Sequence, residues 1–378
     1  MEKRRFLFLY LNTGAGHISA AKVLSAALKA QNPDVEIEMV NGFDKANIVG
    51  HMAFEIGYNV MCNYVHGAFP LAYDIGAHRW AQTLTMKLLR LRTQRYLRHV
   101  ILEKHPTDIV SFHFALTPFA KAALRSIPWK VNLTVMVTDP YTIPHAWFYE
   151  RDQKYLVYSQ EAKDEGVNKC GVPAENITVV PFLMNEKYRM PPLSENQVRE
   201  LKIKRGFDPD KKIVLLVGGG EGLPGAVEII KECVLKKAGF SIAMVCGRDK
   251  AFKKTLDILA ATYPKLDLHV FGFVDYLDEL VKICDCAVIK AGPATLMEVL
   301  ACRKPVIMIS YIHDQERGNM RYAVYNDVGY FIRKPRRVYE KISEILEDSG
   351  YGRRMKANFD RLSLDTDAGK IAKLLLEK

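Results

Sequence analysis

Short apolar runs alternate with longer amphipathic segments along the whole chain. Phe6–Leu11 is apolar throughout and reads as a strand, whereas the apolar residues of Ile18–Ala30 recur at helical spacing. Glu36–Val40, Ile109–Phe112, Leu133–Val137 and Lys154–Tyr158 read as further strands. Strands separated by helices predict a parallel sheet. The texture breaks near Met190, where MPPLSENQ carries two prolines and then Ser194 with Gln197 three residues on, a capping-box start for a new helix. The pattern then restarts with Ile213–Val217, Ile242–Cys246, Leu268–Val270, Asp285–Ile289 and Pro305–Ile309. The expected fold class is α/β, with one domain over residues 1–190, a second over 191–350, and a C-terminal helical stretch over 351–378.

Bulk composition changes this picture little. At 378 residues with 49% hydrophobic and 26% charged residues, two domains are expected. No apolar run approaches the ~18 residues of a membrane span. The opening MEKRRFLFLYLNTG imitates a signal peptide, but its apolar run is shorter than the ~7–15 residues of such a segment, so a first strand is expected. Seven cysteines without metal-ligand spacing suit a reducing cytosol. The net charge is +11, and residues 79–104 alone carry Arg79, Lys87, Arg90, Arg92, Arg95, Arg98 and Lys104 against Glu103. Basic residues beside anionic lipid contribute roughly 1 kcal/mol each. Residues 51–104 also mix in aromatics and aliphatics, as helices lying on membranes do. The alternatives are a solvated basic face and ordinary domain helices.

Candidate chemistry falls after the strands. NTGAGHISAA (Asn12–Ala21) places His17 at a strand-to-helix turn, where the positive end of the helix disfavours imidazolium and leaves a neutral base. The alternative is a polar cap. Gly218, Gly219 and Gly220, then Glu221 and Gly222, leave room for a diphosphate or an acceptor, as would a tight turn. Residues 290–319, KAGPATLMEVLACRKPVIMISYIHDQERGN, run from a turn (Ala291, Gly292, Pro293) into a short helix with Thr295 and Glu298, then a strand, then a loop with Asp314, Gln315, Glu316 and Asn319. Amides at a helix start suit phosphate, and clustered carboxylates and amides suit sugar hydroxyls. Together they describe a nucleotide-sugar pocket. Thr295-x-x-Glu298 is equally a capping box, and the polar loop could be plain surface. TDPYTIPHAW supplies Asp139, His145 and Trp147 after a strand end; Trp147 suits either a lipid interface or a core. Asp208-x-Asp210 and Asp365-x-Asp367 adjoin no expected donor loop, so no metal or other cofactor is expected.

In order, NTGAGHISAA, VTDPYTIPHAWF, VGGGEG, CGRD, GFV, KAGPAT and QERGN resemble the monogalactosyldiacylglycerol synthase and processive diacylglycerol glucosyltransferase family, nearly end to end. That family is related to the lipid II-forming N-acetylglucosaminyltransferase of peptidoglycan synthesis. The resemblance implies the GT-B architecture, two Rossmann-like domains facing each other across a cleft, with the C-terminal stretch crossing back to the first. It implies that His17 is the base, that Gly219, Gly220, Ala291, Gly292 and Thr295 lie near phosphate, and that Val274 meets uracil through its backbone. It places Glu298 on ribose, Gln315, Glu316 and Asn319 on the donor sugar, and Asp139, His145 and Trp147 on the acceptor side.

The expected activity is inverting transfer of glucose or galactose from a UDP-hexose to a lipid hydroxyl, most plainly diacylglycerol. Arg90, Arg92 and Arg95 would meet an anionic lipid surface, with the enzyme peripheral on the cytoplasmic face of the membrane and without a nucleic-acid partner. The alternatives are another lipid acceptor such as a polyprenyl-linked sugar, a UDP-sugar epimerase of the same architecture, and a dinucleotide-binding module built on Gly14-x-Gly16.

Overall fold

The structure, a computed structural model, describes residues 4–12, 15–43, 50–52, 78–189, 191–219, 222–312, 314–348, 350–362 and 364–377. It divides into two compact units, Met1–Met184 with Asp365–Lys378, and Asn185–Leu364.

The first unit holds a six-stranded parallel sheet in the order β2-β1-β3-β4-β5-β6. Its strands are β1 (Arg5–Tyr10), β2 (Glu36–Asn41), β3 (Asp108–Ser111), β4 (Asn132–Met136), β5 (Lys154–Val157) and β6 (Ile177–Val179). The run read as a first strand is central, and its continuous apolarity has a direct cause: both faces are covered. Phe6 and Phe8 pack with Leu24 and Leu28 of the Ala15–Gln31 helix and with Ile371, Ala372 and Leu375. Leu7 and Leu9 point to the other face, into Leu89, Leu97 and Ile101 of the Arg79–Lys104 helix and Phe119 and Ala120.

The second unit repeats the plan in the order β12-β11-β10-β7-β8-β9, again all parallel. The strands are β7 (Ile213–Val217), β8 (Ser241–Val245), β9 (Leu268–Phe271), β10 (Cys286–Lys290), β11 (Val306–Ser310) and β12 (Gly329–Phe331). The capping box forms as read: Ser194 Oγ accepts the Gln197 N–H at 3.3 Å, and Gln197 Oε1 accepts the Ser194 N–H at 2.9 Å, starting the Glu195–Lys204 helix. The first unit's chain ends a few residues before that point, at Met184. The stretch from Tyr351 is two helices. Tyr351–Leu362 belongs to the second unit, and Ala368–Leu376 to the first.

In each sheet the strand order reverses once, between β1 and β3 in the first and between β7 and β10 in the second. At such a switch point the loops leave in opposite directions and open a crevice beyond the carboxyl ends of the strands. His17 follows β1, and Phe112 and His113 follow β3; Gly218 and Gly219 follow β7, and Ala291 and Gly292 follow β10.

Candidate functional site

In the first unit, His17 stands in the first turn of the Ala15–Gln31 helix. Thr13 and Gly14 of its turn lie outside the described residues. The His17 Nδ1 atom is 2.8 Å from the Phe112 carbonyl oxygen and 2.8 Å from Thr138 Oγ1. A carbonyl only accepts, so Nδ1 carries the proton and the Nε2 lone pair is left to take one. Burial pushes the His17 pKa down to about 4, with the Phe112 carbonyl pulling the other way. The ring is therefore neutral at pH 7. Its neighbour His113 is buried and its ring centroid lies 4.9 Å away. His113 Nδ1 accepts the Ala115 N–H at 3.2 Å, so this ring has the opposite tautomer, with the proton on Nε2. Burial holds the His113 pKa well below the usual histidine range, and the adjacent His17 adds to the effect.

Asp139 and Trp147 join this cluster, and of the two readings of the tryptophan the core one holds. Trp147 is 1% exposed and its indole Nε1 donates to Asp139 Oδ2 at 2.7 Å. Its ring lies 6.1 Å from His17. The lipid-interface reading of Trp147 is thus wrong: indole N–H finds its partner inside the fold. His145, at the start of a short helical turn, pairs with Glu165 Oε1 at 2.7 Å. Thr138 opens the TDPYTIPHAW motif and His113 directly follows the Ile109–Phe112 run, yet neither residue type by itself marks a site.

The long Arg79–Lys104 helix resolves the question of its faces. Met86, Leu89, Thr93, Leu97 and Val100 are buried, while Trp80, Leu84, Leu88 and Leu91 are 65%, 53%, 77% and 68% exposed. At 3.6 residues per turn the exposed four share a sector of roughly 80°. Lys87, Arg90, Arg92, Arg95 and Arg98 are exposed along and beside that stripe. The helix therefore both packs into the domain and presents an apolar strip among cations. Residues 53–77 of the segment read as membrane-facing lie outside the described residues.

In the second unit, the Pro293–Ala301 helix starts directly after β10, with Gly292 as N-cap and no side-chain cap. The Thr295–Glu298 capping box therefore does not form. Proline at the first helical position sets the start earlier. Glu298 instead lies beside the Tyr188 hydroxyl, which favours its charged form. Burial pushes its pKa up to about 7, Asp278 adds to this, and Tyr188 and Lys187 oppose it. Tyr188 lies more than a hundred residues away in sequence and gave no local signal.

Two residues of the polar loop turn inward, while Asp314 and Gln315 stay partly exposed. Glu316 is 4% exposed: its Oε2 accepts the Ile312 N–H at 2.7 Å and its Oε1 lies 3.4 Å from Lys290 Nζ. A Cβ built on Gly292 would lie 3.5 Å from the same Oε1, so the carboxylate borders the turn before the helix. Asn319 is 1% exposed and its Nδ2 donates to the Ala291 carbonyl at 3.0 Å, while its Oδ1 is buried without a partner. Such an orphan acceptor costs about 1–3 kcal/mol unless something donates to it. Gln315 and Thr295 are half-buried on the loop and the helix beside these residues.

Two of the glycines after β7 have backbone reasons. A Cβ on Gly218 would fall 1.8 Å from the Gly222 carbonyl oxygen, and Gly219 has φ +90°. Gly220 and Glu221 lie outside the described residues. Val274 is half-buried behind the exposed Phe273, over which Arg248 stands at 5.2 Å. Among the described residues no group of histidine, cysteine or carboxylate side chains could hold a metal ion, and six cysteines are free.

Comparison with known proteins agrees with this plan. Residues 17–180 match the model of the monogalactosyldiacylglycerol (MGDG) synthase family, and residues 197–361 match glycosyl transferases group 1. The chain is 25% identical over 353 residues to the chloroplastic monogalactosyldiacylglycerol synthase of Spinacia oleracea, covering 90% of this chain and 66% of that protein. It is 24% identical to the processive diacylglycerol beta-glucosyltransferase of Bacillus licheniformis, covering 99% of this chain and 95% of that one. Among solved structures, Acinetobacter baumannii MurG superposes with a TM-score of 0.64 at 12% identity over 99% of this chain and all of the other. The fold is that of the GT-B glycosyltransferases. With both models, the relatives and the paired parallel sheets in agreement, the chain is a glycosyltransferase whose first half matches the monogalactosyldiacylglycerol synthase family and whose second half matches glycosyl transferases group 1.

Proposed function

We propose that this glycosyltransferase moves a hexose from a UDP-sugar to the hydroxyl of diacylglycerol, with inversion, at an anionic membrane surface. The observation that carries the reading is His17: a neutral imidazole at the switch point of its sheet, with Nδ1–H committed and Nε2 free to accept a proton. A lipid hydroxyl is a poor nucleophile until a base takes its proton, a contribution of about 10²–10⁴ in rate. As His17 Nε2 takes that proton, the hydroxyl oxygen bonds to the anomeric carbon. The bond from that carbon to UDP breaks, and its electron pair leaves with the diphosphate.

The second unit supplies the donor contacts. The amides at the start of the Pro293–Ala301 helix have no side-chain cap, and Lys290 stands just before them. They suit the charge that gathers on departing UDP, and no metal is called upon. Glu298 suits the ribose diol. Glu316 and Asn319, held rigid by Lys290, the Ile312 amide and Ala291, suit sugar hydroxyls. The orphan Oδ1 of Asn319 is an acceptor for one of them.

Attachment to a membrane surface is supported by the strip of Trp80, Leu84, Leu88 and Leu91 among arginines. No helix of the described residues is long and apolar enough to cross a bilayer. This strip favours a transferase over a UDP-sugar epimerase, which needs no lipid. The deciding experiment incubates the protein with UDP-glucose or UDP-galactose, each with diacylglycerol vesicles, with and without EDTA, and resolves the lipids. A glycosyl-diacylglycerol with inverted linkage, formed also in EDTA, is expected. Epimerised nucleotide sugar without glycolipid would refute the reading.

A further inference from the structure

We infer that Thr138 is a positioning residue that locks the His17 imidazole in its proton-accepting orientation; this rests on His17 being the base. The Phe112 carbonyl, at the end of β3, accepts from Nδ1 at 2.8 Å. One hydrogen bond leaves the ring free to swing about the N–H···O axis. A second acceptor off that axis removes the freedom. Thr138 Oγ1, just past the end of β4, lies 2.8 Å from the same nitrogen. Since Nδ1 already donates to a carbonyl, the threonine oxygen shares that proton as acceptor. The ring is thus held between two neighbouring strand ends.

The identity of the second partner matters. A histidine base is commonly oriented by a carboxylate. Here the carboxylate next in sequence, Asp139, accepts from the Trp147 indole at 2.7 Å, and a hydroxyl takes the orienting place. Thr138 is 7% exposed, so its hydroxyl has little competition from water for the role. The wall behind is rigid as well, with His113 at 4.9 Å and Trp147 at 6.1 Å between ring centroids. A hydroxyl clamp orients the base and fixes its tautomer without raising its basicity as a carboxylate would. That agrees with a ring that stays neutral across the neutral pH range.

The test uses the full chain with UDP-hexose and diacylglycerol. Thr138→Val keeps the shape and removes the acceptor; kcat should fall about 10- to 100-fold, the size of effect expected from a misplaced reacting group. The KM for UDP-hexose should stay within about twofold, because the donor contacts lie in the other unit. Thr138→Ser restores the acceptor and should recover kcat to within about threefold of the parent. Nitrogen-15 spectra of the unaltered protein at pH 7 should show His17 as the Nδ1–H tautomer, a readout independent of how any variant folds. The inference is overturned by undiminished kcat in Thr138→Val, by equal losses in the serine and valine variants, or by an Nε2–H tautomer at His17. A fully active His17→Ala would overturn the base reading, and with it the role given to Thr138. An inactive His17→Ala beside a fully active Thr138→Val would overturn the clamp alone.

Discussion

Glu298 offers the sharpest test, because structure and function make opposite demands on it. Glu298 is half-buried, and burial raises its pKa from the ordinary 4.5 to about 7, with the Tyr188 hydroxyl opposing the shift. The raised folded value means the neutral acid is favoured in the fold. The associated stability is fully present below pH 4.5 and is lost as pH rises through about 7. At 1.36 kcal/mol per unit the full shift corresponds to about 3 kcal/mol. Residual exposure reduces the expected effect to roughly 1–2 kcal/mol. Glu298→Gln keeps an acceptor for Tyr188 and removes the charge. The variant should match the parent at pH 5 and exceed it by roughly 1–2 kcal/mol at pH 8. Urea unfolding at a series of pH values would measure this. Circular dichroism is the suitable probe, since Trp80, Trp129 and Trp147 all lie in the first unit and do not report on the second. If Glu298 also binds ribose, the same stabilised variant should show a KM for UDP-hexose at least about tenfold higher. Parallel pH–stability curves for the two proteins would refute the burial argument. An unchanged KM would remove Glu298 from the donor site.

Other consequences can be checked as directly. His17→Ala should lower kcat by about 10²–10⁴ while UDP affinity changes little. Because the His17 pKa is lowered to about 4, its share of stability is present above pH 6.5 and fades as pH falls through 4, so this variant should lose less stability than the parent on acidification. Reversing Arg90, Arg92 and Arg95 to glutamate should weaken binding to anionic vesicles by at least about tenfold, at roughly 1 kcal/mol per charge. High salt should mimic the change, and detergent-solubilised short-chain acceptor should escape it; unchanged vesicle binding would show these arginines to be merely solvated. Gly218→Ala drives a methyl group into the Gly222 carbonyl, so melting should show a loss of about 1–3 kcal/mol and UDP binding should weaken. Asn319→Asp removes the donor to Ala291 and buries a charge, and should cost about 2–4 kcal/mol by urea unfolding.

What could be read in advance, and what could not, follows from the range of the interactions. Ten of the strands were legible: interior ones such as β1 and β7 as continuous apolar runs, because both of their faces are covered, and the edge strand β2 by its alternation of polar and apolar residues. The three-residue edge strands β6 and β12 have no such run and escaped notice. The N-cap at Gly292 was legible in principle, since Pro293 marks a first helical position, but Thr295 and Glu298 offered a competing start. The choice between Trp147 and Trp80 was only half legible. The spacing of Trp80, Leu84, Leu88 and Leu91 is a helical stripe, yet whether a stripe faces core or solvent depends on what packs beside it. The partners Tyr188 for Glu298 and Thr138 for His17 come from strand order and chain crossing, which no local window contains.

The return of the chain to its first unit has a temporal consequence. Arg4 Nη2 donates to the Leu375 carbonyl at 2.9 Å, and Arg4 also pairs with Asp108 at 3.0 Å, so the first strand is tied to the last helix. Ile371, Ala372 and Leu375 complete the core over Phe6 and Phe8. A ribosome releases residues in order, so the N-terminal unit must wait through the synthesis of the entire second unit before its core can close. Until then the face of β1 that carries Phe6 and Phe8 lacks part of its cover. A stop codon after Leu364 would leave that face open permanently, and the product should be recognised by chaperones and proteases as unfinished, however intact its second unit.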